Sequence, residues 1–191
     1  SSSMMPNRHA LLDSLKTAIG QTDLRKMYKD RPITMHRTYQ AQMPMAFPKV
    51  IRQAYAHIWS GKYTRIIIKA PRGGGKSKLL GTVGFDYWYL KDRSVVNMGG
   101  SFVQAEIVYG YFTDYCDIDA SIVNHVDGGQ RGITMTETKS VSGYKFSCVT
   151  ASPKQVRGKH PDILIADEAC EISDELIHSA LPMINDSKHP L

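Results

Sequence analysis

A glycine-rich segment that follows a β-branched run constrains this chain more than any other feature. The run covers residues 66–68, and the segment reads Ala70-Pro71-Arg72-Gly73-Gly74-Gly75-Lys76-Ser77. Residues 76–90 contain no proline and several apolar side chains, which predicts a helix. A strand, a glycine-rich turn and a helix in this order point backbone N–H groups at an anion. The segment therefore predicts a phosphate-binding loop, although the usual pattern begins with Gly where this chain has Ala70.

Two acidic residues follow a second apolar run later in the chain. The run is Ile163-Leu164-Ile165-Ala166, and the acidic pair is Asp167-Glu168. Carboxylates at the end of a buried strand complete a phosphate site by supporting a metal ion and by activating water. The alternative is two surface acids that open the next helix. In combination with the loop, the pair predicts that the chain binds a nucleoside triphosphate and hydrolyses it, with Lys76 on the phosphates and Ser77 on Mg²⁺.

Length and composition are those of an ordinary globular protein. The 191 residues allow one substantial core, with 42% hydrophobic and 22% charged residues. No apolar stretch approaches the roughly 20 residues of a membrane span, and the polar N-terminus predicts no signal peptide. Three widely separated cysteines without CxxC spacing predict packed, reduced thiols in a cytosolic protein: Cys116, Cys148 and Cys170.

Positive charge is concentrated in the first third of the chain. Residues 1–65 hold 11 Lys and Arg against 3 Asp and Glu, whereas residues 66–191 hold 13 against 15. A basic region attached to a near-neutral remainder suggests contact with an anionic partner, with nucleic acid as the leading candidate. A solvated basic surface is the alternative, since no dense Lys/Arg run is present.

Alternating strand and helix patterns predict an α/β fold with a mainly parallel sheet flanked by helices. The ligand site is expected at the C-terminal ends of the strands. The predicted strands are 65–69, 95–98 and 162–166, with a hairpin of 133–139 and 144–150 around Ser142-Gly143. The predicted helices are 7–20, 48–59, 76–90, 101–115 and 173–183. In helix 101–115, the apolar side chains are predicted to be core: Val103, Ile107, Val108, Tyr111 and Phe112.

An ensemble of motifs resembles one known family. The loop carries Arg at its third position, Arg72, and Ser101 with Gln104 opens the helix after the second strand. The run Ala151-Ser152-Pro153-Lys154-Gln155-Val156-Arg157-Gly158-Lys159-His160-Pro161-Asp162 leads directly into the acidic strand. In these features the chain resembles the ATPase domain of the large terminase subunit of tailed bacteriophages, over about residues 47–185.

The resemblance implies a P-loop NTPase of the additional-strand (ASCE, RecA-like) type, with ATP and Mg²⁺ as cofactors. Residues 47–191 would form the ATPase domain, and residues 1–46 a helix and an irregular arm packed on it. The implied activity is ATP hydrolysis that pumps double-stranded DNA into a procapsid. The implied partners are the portal protein, the small terminase subunit and copies of the chain in a ring, in the host cytoplasm and without a membrane. The family's full-length protein is also an endonuclease, and its coupling motif is expected beyond residue 191.

The resemblance also assigns roles to individual residues. The phosphate loop corresponds to the Walker A motif, whose residues would contact the nucleotide: Pro71, Arg72, Gly73, Gly74, Gly75, Lys76 and Ser77. Asp167 of the Walker B strand supports Mg²⁺ through water, and Glu168 activates the attacking water. Arg157 matches an arginine finger supplied to a neighbouring subunit, with a local salt bridge as the alternative. Arg72 is either a second phosphate-facing cation or the partner of a carboxylate.

Two assignments remain open in the sequence. A glutamine upstream of the loop reads the adenine edge in many relatives, and Gln53 is the candidate, with Gln42 and Gln40 in competition. A superfamily 2 helicase is the rival enzyme, because Asp167-Glu168-Ala169-Cys170 has the form of its Asp-Glu-x-x box. The segment between the two motifs contains no helicase-like Thr-Pro-Gly-Arg, which favours the terminase resemblance.

Overall fold

The computed structural model describes residues 10–11, 24–36, 39, 47–156, 158–168 and 174–180. The helices with defined bounds are α1 (Leu24–Met27), α2 (Lys49–Trp59), α3 (Lys76–Leu90), α4 (Phe102–Cys116), α5 (Ala120–Val123), α6 (Pro153–Val156) and α7 (Asp174–Ala180). The strands are β1 (Val95–Gly99), β2 (Glu137–Lys139), β3 (Lys145–Thr150) and β4 (Ile163–Ala166). Within these ranges, no helix combines the length and the apolar character needed to cross a bilayer.

The four strands form one mixed sheet in the order β2-β3-β1-β4. β1 is parallel to both of its neighbours, so that Val95 lies opposite Phe146 of β3 and Ile163 of β4. β2 pairs antiparallel with β3, and Lys139 lies opposite Lys145. The chain is therefore α/β with helices flanking a mixed sheet, which confirms the α/β class and the hairpin.

Most predicted elements of the central region are present. α2, α3, α4 and β4 begin within one residue of their predicted starts. The start of α4 follows the capping prediction, because the Ser101 hydroxyl oxygen accepts a hydrogen bond from the Gln104 N–H at 3.3 Å. Predicted helix 7–20 lies largely outside the described residues, as does the end of predicted helix 173–183.

The predicted strand at residues 65–69 is wrong for this structure. The segment is described, but it has no strand assignment and pairs with none of the four strands, and Ile67 is 87% exposed. β4 lies at one edge of the sheet with β1 as its paired neighbour. A β-branched run needs a neighbouring strand to form a ladder, and none is beside this run in the described part of the chain.

The two faces of the sheet differ in their cover. α3 and α4 lie on one face, where the rings of Phe112 and Phe146 stack with centroids 3.9 Å apart. On the other face, Leu176 of α7 packs with a smaller apolar group consisting of Val96, Met98 and Val149. Because alternate residues of a strand point to opposite faces, β3 sends Phe146 toward α4 and sends Lys145, Ser147 and Val149 to the second face.

Helix α3 approaches its neighbours closely at two glycines. A Cβ on Gly81 would lie 2.7 Å from the Val108 carbonyl oxygen in α4. A Cβ on Gly84 would lie 2.6 Å from the Phe146 ring. Glycine at these positions therefore lets the helix that follows the loop sit directly on α4 and on the sheet.

The described part of the N-terminal region packs on the same core. Leu24, Tyr28, Ile33 and Tyr39 are buried in the cluster that contains α3. Asp86 of α3 is fully buried, and it accepts hydrogen bonds from the Thr34 N–H, the Thr34 hydroxyl and the Tyr55 hydroxyl. Burial raises the pKa of the Asp86 carboxyl to about 7, against the lowering effect of these donors. This buried cluster joins residues 33–34 and α2 to the helix that carries the loop.

Candidate nucleotide site

The glycine-rich loop turns sharply before α3. Gly73 and Gly75 have φ of 77° and 82°, in the left-handed region that glycine adopts without strain. The Gly74 N–H donates to the Pro71 carbonyl oxygen at 3.1 Å, which closes the turn. Ile51 of α2 lies against the loop, since a Cβ on Gly75 would be 3.6 Å from its side chain. The loop therefore presents the first turn of a 15-residue helix, whose N–H groups favour an anion.

The acidic turn after β4 lies against this helix start. The Ser77 hydroxyl donates to Asp167 Oδ2 at 2.6 Å, and Asp167 is 3% exposed. Lys76 Nζ lies 3.8 Å from Asp167 Oδ1 and 3.5 Å from Glu168 Oε1. The structure thus brings together the four residues that the two sequence motifs singled out, although Ser77 and Asp167 are 90 positions apart.

The ion pairs of Lys76 are long and partly solvated. The Lys76 side chain is 22% exposed and that of Glu168 is 37% exposed. Ion pairs of this kind contribute at most about 1 kcal/mol, so the ammonium group can exchange its carboxylate contacts for phosphate oxygens at little cost. The Lys76 ammonium group therefore lies at the site but can change its contacts.

Glu168 has an unusual backbone conformation. Its φ is +51°, in the left-handed region, and its N–H donates to Asp167 Oδ1 at 2.9 Å. Such a conformation in a non-glycine residue costs of order 1–3 kcal/mol and occurs at sites where a side chain must be aimed. The turn directs the Glu168 carboxylate toward Lys76.

A cavity of about 590 Å³ lies between the loop, the acidic turn and α4. Its walls include residues 71–78 with Asp167 and Glu168, and from α4 they include Gln104, Ile107, Tyr111 and Asp114. The volume lies within the range of about 300–1,000 Å³ typical of small-molecule sites. Cationic, anionic and hydroxyl groups converge in it, as a charged ligand with a metal ion requires.

The donor set fits Mg²⁺ held together with a phosphate ligand. Ser77 Oγ and the Asp167 carboxylate are oxygen donors within hydrogen-bond distance of each other. Mg²⁺ in phosphate sites takes one or two carboxylates and completes its shell with water and phosphate oxygens. Among the described residues, no group of three or more His, Cys, Asp or Glu side chains suited to a metal occurs. Ser77 and Asp167 would hold the ion, which would neutralise phosphate charge.

The remaining predicted site residues fall in different places. Arg72 is exposed and lines the cavity, so that its prediction as a phosphate-facing cation remains open. Gln53 is exposed on α2 and is not among the described residues that line the cavity. Arg157, Gln40 and Gln42 lie outside the described residues.

Sequence reasoning missed one cation at the site and misjudged one helix face. Lys78 is buried, lines the cavity and holds its ammonium 4.7 Å from the centroid of the Phe47 ring. Burial lowers its pKa. Val103 and Ile107, predicted as core, are 67% and 48% exposed. Ile107 lines the cavity. Val108 and Phe112 are buried as predicted.

The chain matches neither a model of a known protein family nor a curated protein.

Proposed function

We propose that this chain is an ATPase, the motor domain of a terminase large subunit that drives double-stranded DNA into a procapsid. The observation that carries the ATPase proposal is the meeting of Lys76 and Ser77 with Asp167 and Glu168 around one cavity. The terminase assignment depends on the sequence resemblance. The four side chains supply what phosphoryl transfer needs: a cation for the phosphates, oxygen donors for Mg²⁺ and a carboxylate for water.

Each residue has a distinct proposed role. The loop N–H groups and Lys76 bind the β/γ-phosphates of ATP, and Arg72 adds a second cation at the cavity wall. Glu168, aimed into the cavity by its left-handed turn, orients the attacking water and accepts its proton. Such sites work mainly by positioning and by stabilising developing charge. Bound nucleotide therefore has to draw Lys76 away from the carboxylates that it contacts here.

The proposed fold type is the additional-strand P-loop NTPase. The additional strand would pair with β4 at the edge of the described sheet and would give the 65–69 run the neighbouring strand that the described residues do not supply. A sheet edge and an unpaired β-branched run are each unfavourable in isolation, because both leave ladder groups unmatched. This arrangement supports the proposal without requiring any change in the order of the four observed strands.

The proposed motor works as an assembly. Copies of the chain would form a ring on the portal protein, with the small terminase subunit delivering DNA. Arg157 of one copy would reach the phosphates bound by its neighbour. An arginine supplied in this way contributes about 10³-fold or more to turnover, so an isolated subunit would be slow.

Mixing two inactive variants tests this proposal. Arg157→Ala removes the finger, and Lys76→Ala removes the phosphate contact. We expect each to be inactive alone and a mixture to recover part of the ATPase rate, because each variant supplies what the other lacks. An inert mixture despite demonstrated co-assembly would contradict the shared site. Strand separation by the wild-type chain on a forked duplex would favour the helicase instead.

A further inference from the structure

A second charged region lies at the other end of the parallel strands. Residues 131–160 contain six Lys and Arg and one acidic residue, Glu137, which is the steepest local charge excess in the region after the loop. A cavity of about 270 Å³ opens here, lined by Ser94, Lys145, Ser147, Lys159 and His160. Since Lys145 and Val95 are the first residues of β3 and β1, this cavity and the nucleotide site lie at opposite ends of the strands.

The hairpin places its lysines on one face. Lys139 and Lys145 are direct partners in the antiparallel register of β2 and β3, as are Glu137 and Ser147. Direct partners point to the same side of a sheet, and so do alternate residues of a strand. All four side chains therefore share the second face, opposite to α4. We call this set of side chains with Lys159 the hairpin face.

Among the described residues, the three lysines of this face form ion pairs with two carboxylates. Lys145 Nζ lies 3.8 Å from Glu137 Oε1, and Lys159 Nζ lies 3.4 Å from Glu137 Oε2. One carboxylate is thus shared by two ammonium groups. Lys139 contacts the exposed Asp127 only at 4.0 Å. Like charges directly opposite each other in a sheet are destabilising, so the Lys139–Lys145 pair does not itself favour the hairpin.

The lysines remain accessible to a partner. The side chains of Lys139, Lys145 and Lys159 are 49%, 51% and 34% exposed. Asp162 is nearby, but its carboxylate accepts the Ser94 N–H at 2.8 Å and lies before β4. The face therefore offers several ammonium groups and a cleft to one anionic ligand that spans more than a single site.

We propose that the hairpin face binds the phosphate backbone of double-stranded nucleic acid. A duplex carries one negative charge per about 1.7 Å of its axis, which matches a row of lysines better than a single small anion does. The proposal deepens the proposed function, because it assigns the duplex-binding surface to this hairpin and not to the basic residues 1–65. β3, which carries two side chains of this face, pairs with β1, and β1 pairs with β4, whose C-terminal end leads to Asp167 in the nucleotide site.

A salt titration with two charge-matched triple variants tests the proposal. One variant replaces Lys139, Lys145 and Lys159 with Gln. Its control replaces Lys29, Lys49 and Lys62, which are exposed in the N-terminal third. Affinity for a short fluorescein-labelled DNA duplex is measured by anisotropy at several salt concentrations, without nucleotide.

We expect the hairpin variant to lose about 10-fold or more in affinity at low salt. Its slope of log K against log salt should fall by about 0.9 for each phosphate contact removed. The control should keep the wild-type slope. Equal losses in both variants would show an effect of net charge alone and would overturn the proposal, as would wild-type binding by the hairpin variant.

Glu137→Gln provides an independent arm. It removes the carboxylate that two lysines share, so duplex affinity should rise by a few-fold; an unchanged or weaker affinity would contradict the proposal. ATP-analogue binding, measured separately on the same proteins, keeps the two proposals distinct. A chain that binds duplex through these lysines but fails to bind ATP would disprove the proposed ATPase alone.

Discussion

At the scale of single residues, the acidic turn combines strain with chemistry at Glu168. The residue keeps a left-handed backbone that glycine would adopt freely, and its carboxylate lies 3.5 Å from Lys76. A fold that only needed a turn here would be more stable with glycine. The retained glutamate therefore points to a requirement for its side chain.

Glu168→Gln should separate binding from turnover. The amide keeps the size of the side chain but removes the charge and the base. We expect ATP affinity to change little and hydrolysis to fall by roughly 10²-fold or more, measured by phosphate release. Turnover within a few-fold of wild type would show that Glu168 is not the catalytic carboxylate.

Glu168→Gly serves as the matched control for strain. It should be as inactive as Glu168→Gln but should raise the melting temperature, because about 1 kcal/mol or more of backbone strain is released. The partly exposed ion pair with Lys76 that it removes contributes at most about 1 kcal/mol, which offsets only part of a strain of order 1–3 kcal/mol. A lower melting temperature would show that the turn is not strained.

At the scale of elements, the position of the loop depends on how closely α3 packs. Gly81→Ala would place a Cβ 2.7 Å from the Val108 carbonyl oxygen, which is backbone and cannot rotate away. Gly110 in α4 is the control, since nothing lies within 4 Å of a Cβ there. Helix propensity alone would stabilise both variants by about 0.5–1 kcal/mol.

We therefore expect the two glycine variants to differ in sign. Gly110→Ala should raise the free energy of unfolding, and Gly81→Ala should lower it by about 1–3 kcal/mol through overpacking. Urea unfolding measures both. Equal stabilisation of the two would show that α3 and α4 are not in close contact.

The buried Asp86 cluster predicts a dependence of stability on pH. The folded-state pKa of about 7 lies above the unfolded value of 3.8, so between these values the native state binds more protons than the unfolded state. The contribution of Asp86 is therefore fully present below about pH 4 and is lost as the pH rises to about 7.

Asp86→Asn should remove this dependence. Relative to wild type, the variant should gain stability between about pH 4 and pH 7 in chemical denaturation, because the wild-type carboxyl ionises in the unfolded state while it stays protonated in the native state. Thr34→Val, which removes a hydroxyl donor to the carboxylate, should raise the pKa further and extend the loss to higher pH. A stability difference between Asp86→Asn and wild type that stays constant with pH would contradict the account.

The sequence predicts those elements whose patterns are local. Three such patterns depend only on neighbouring residues, and the structure contains all three elements. They are the Ser101 cap of α4, helix α3 without an internal proline, and the hairpin around Ser142-Gly143. The prediction of a strand at 65–69 was wrong because a strand requires a paired neighbour, which the local sequence does not specify. The exposure of Val103 and Ile107 was missed for a similar reason, since periodicity marks a face but not what covers it.

At the scale of the whole molecule, the parallel strands separate two charged regions. The phosphate loop and the acidic turn lie at the C-terminal ends, and the hairpin face lies beside the N-terminal ends of β1 and β3. The meeting of Ser77 with Asp167 was expected from the two motifs, and it is observed although the strand predicted before the loop is absent from the described sheet. The hairpin face was not expected, because it depends on the cross-strand register and on a turn near residue 159.

Nucleotide binding by wild type and two lysine variants tests the central claim most directly. Isothermal titration with a non-hydrolysable ATP analogue and Mg²⁺ compares Lys76→Ala with Lys62→Ala, an exposed lysine beyond the end of α2. A charged hydrogen bond of about 1.5–3 kcal/mol corresponds to a loss of about 10- to 100-fold in affinity for Lys76→Ala, with Lys62→Ala unchanged. Binding by all three proteins with equal affinity, or by none of them, would contradict the claim that this loop is a nucleotide site.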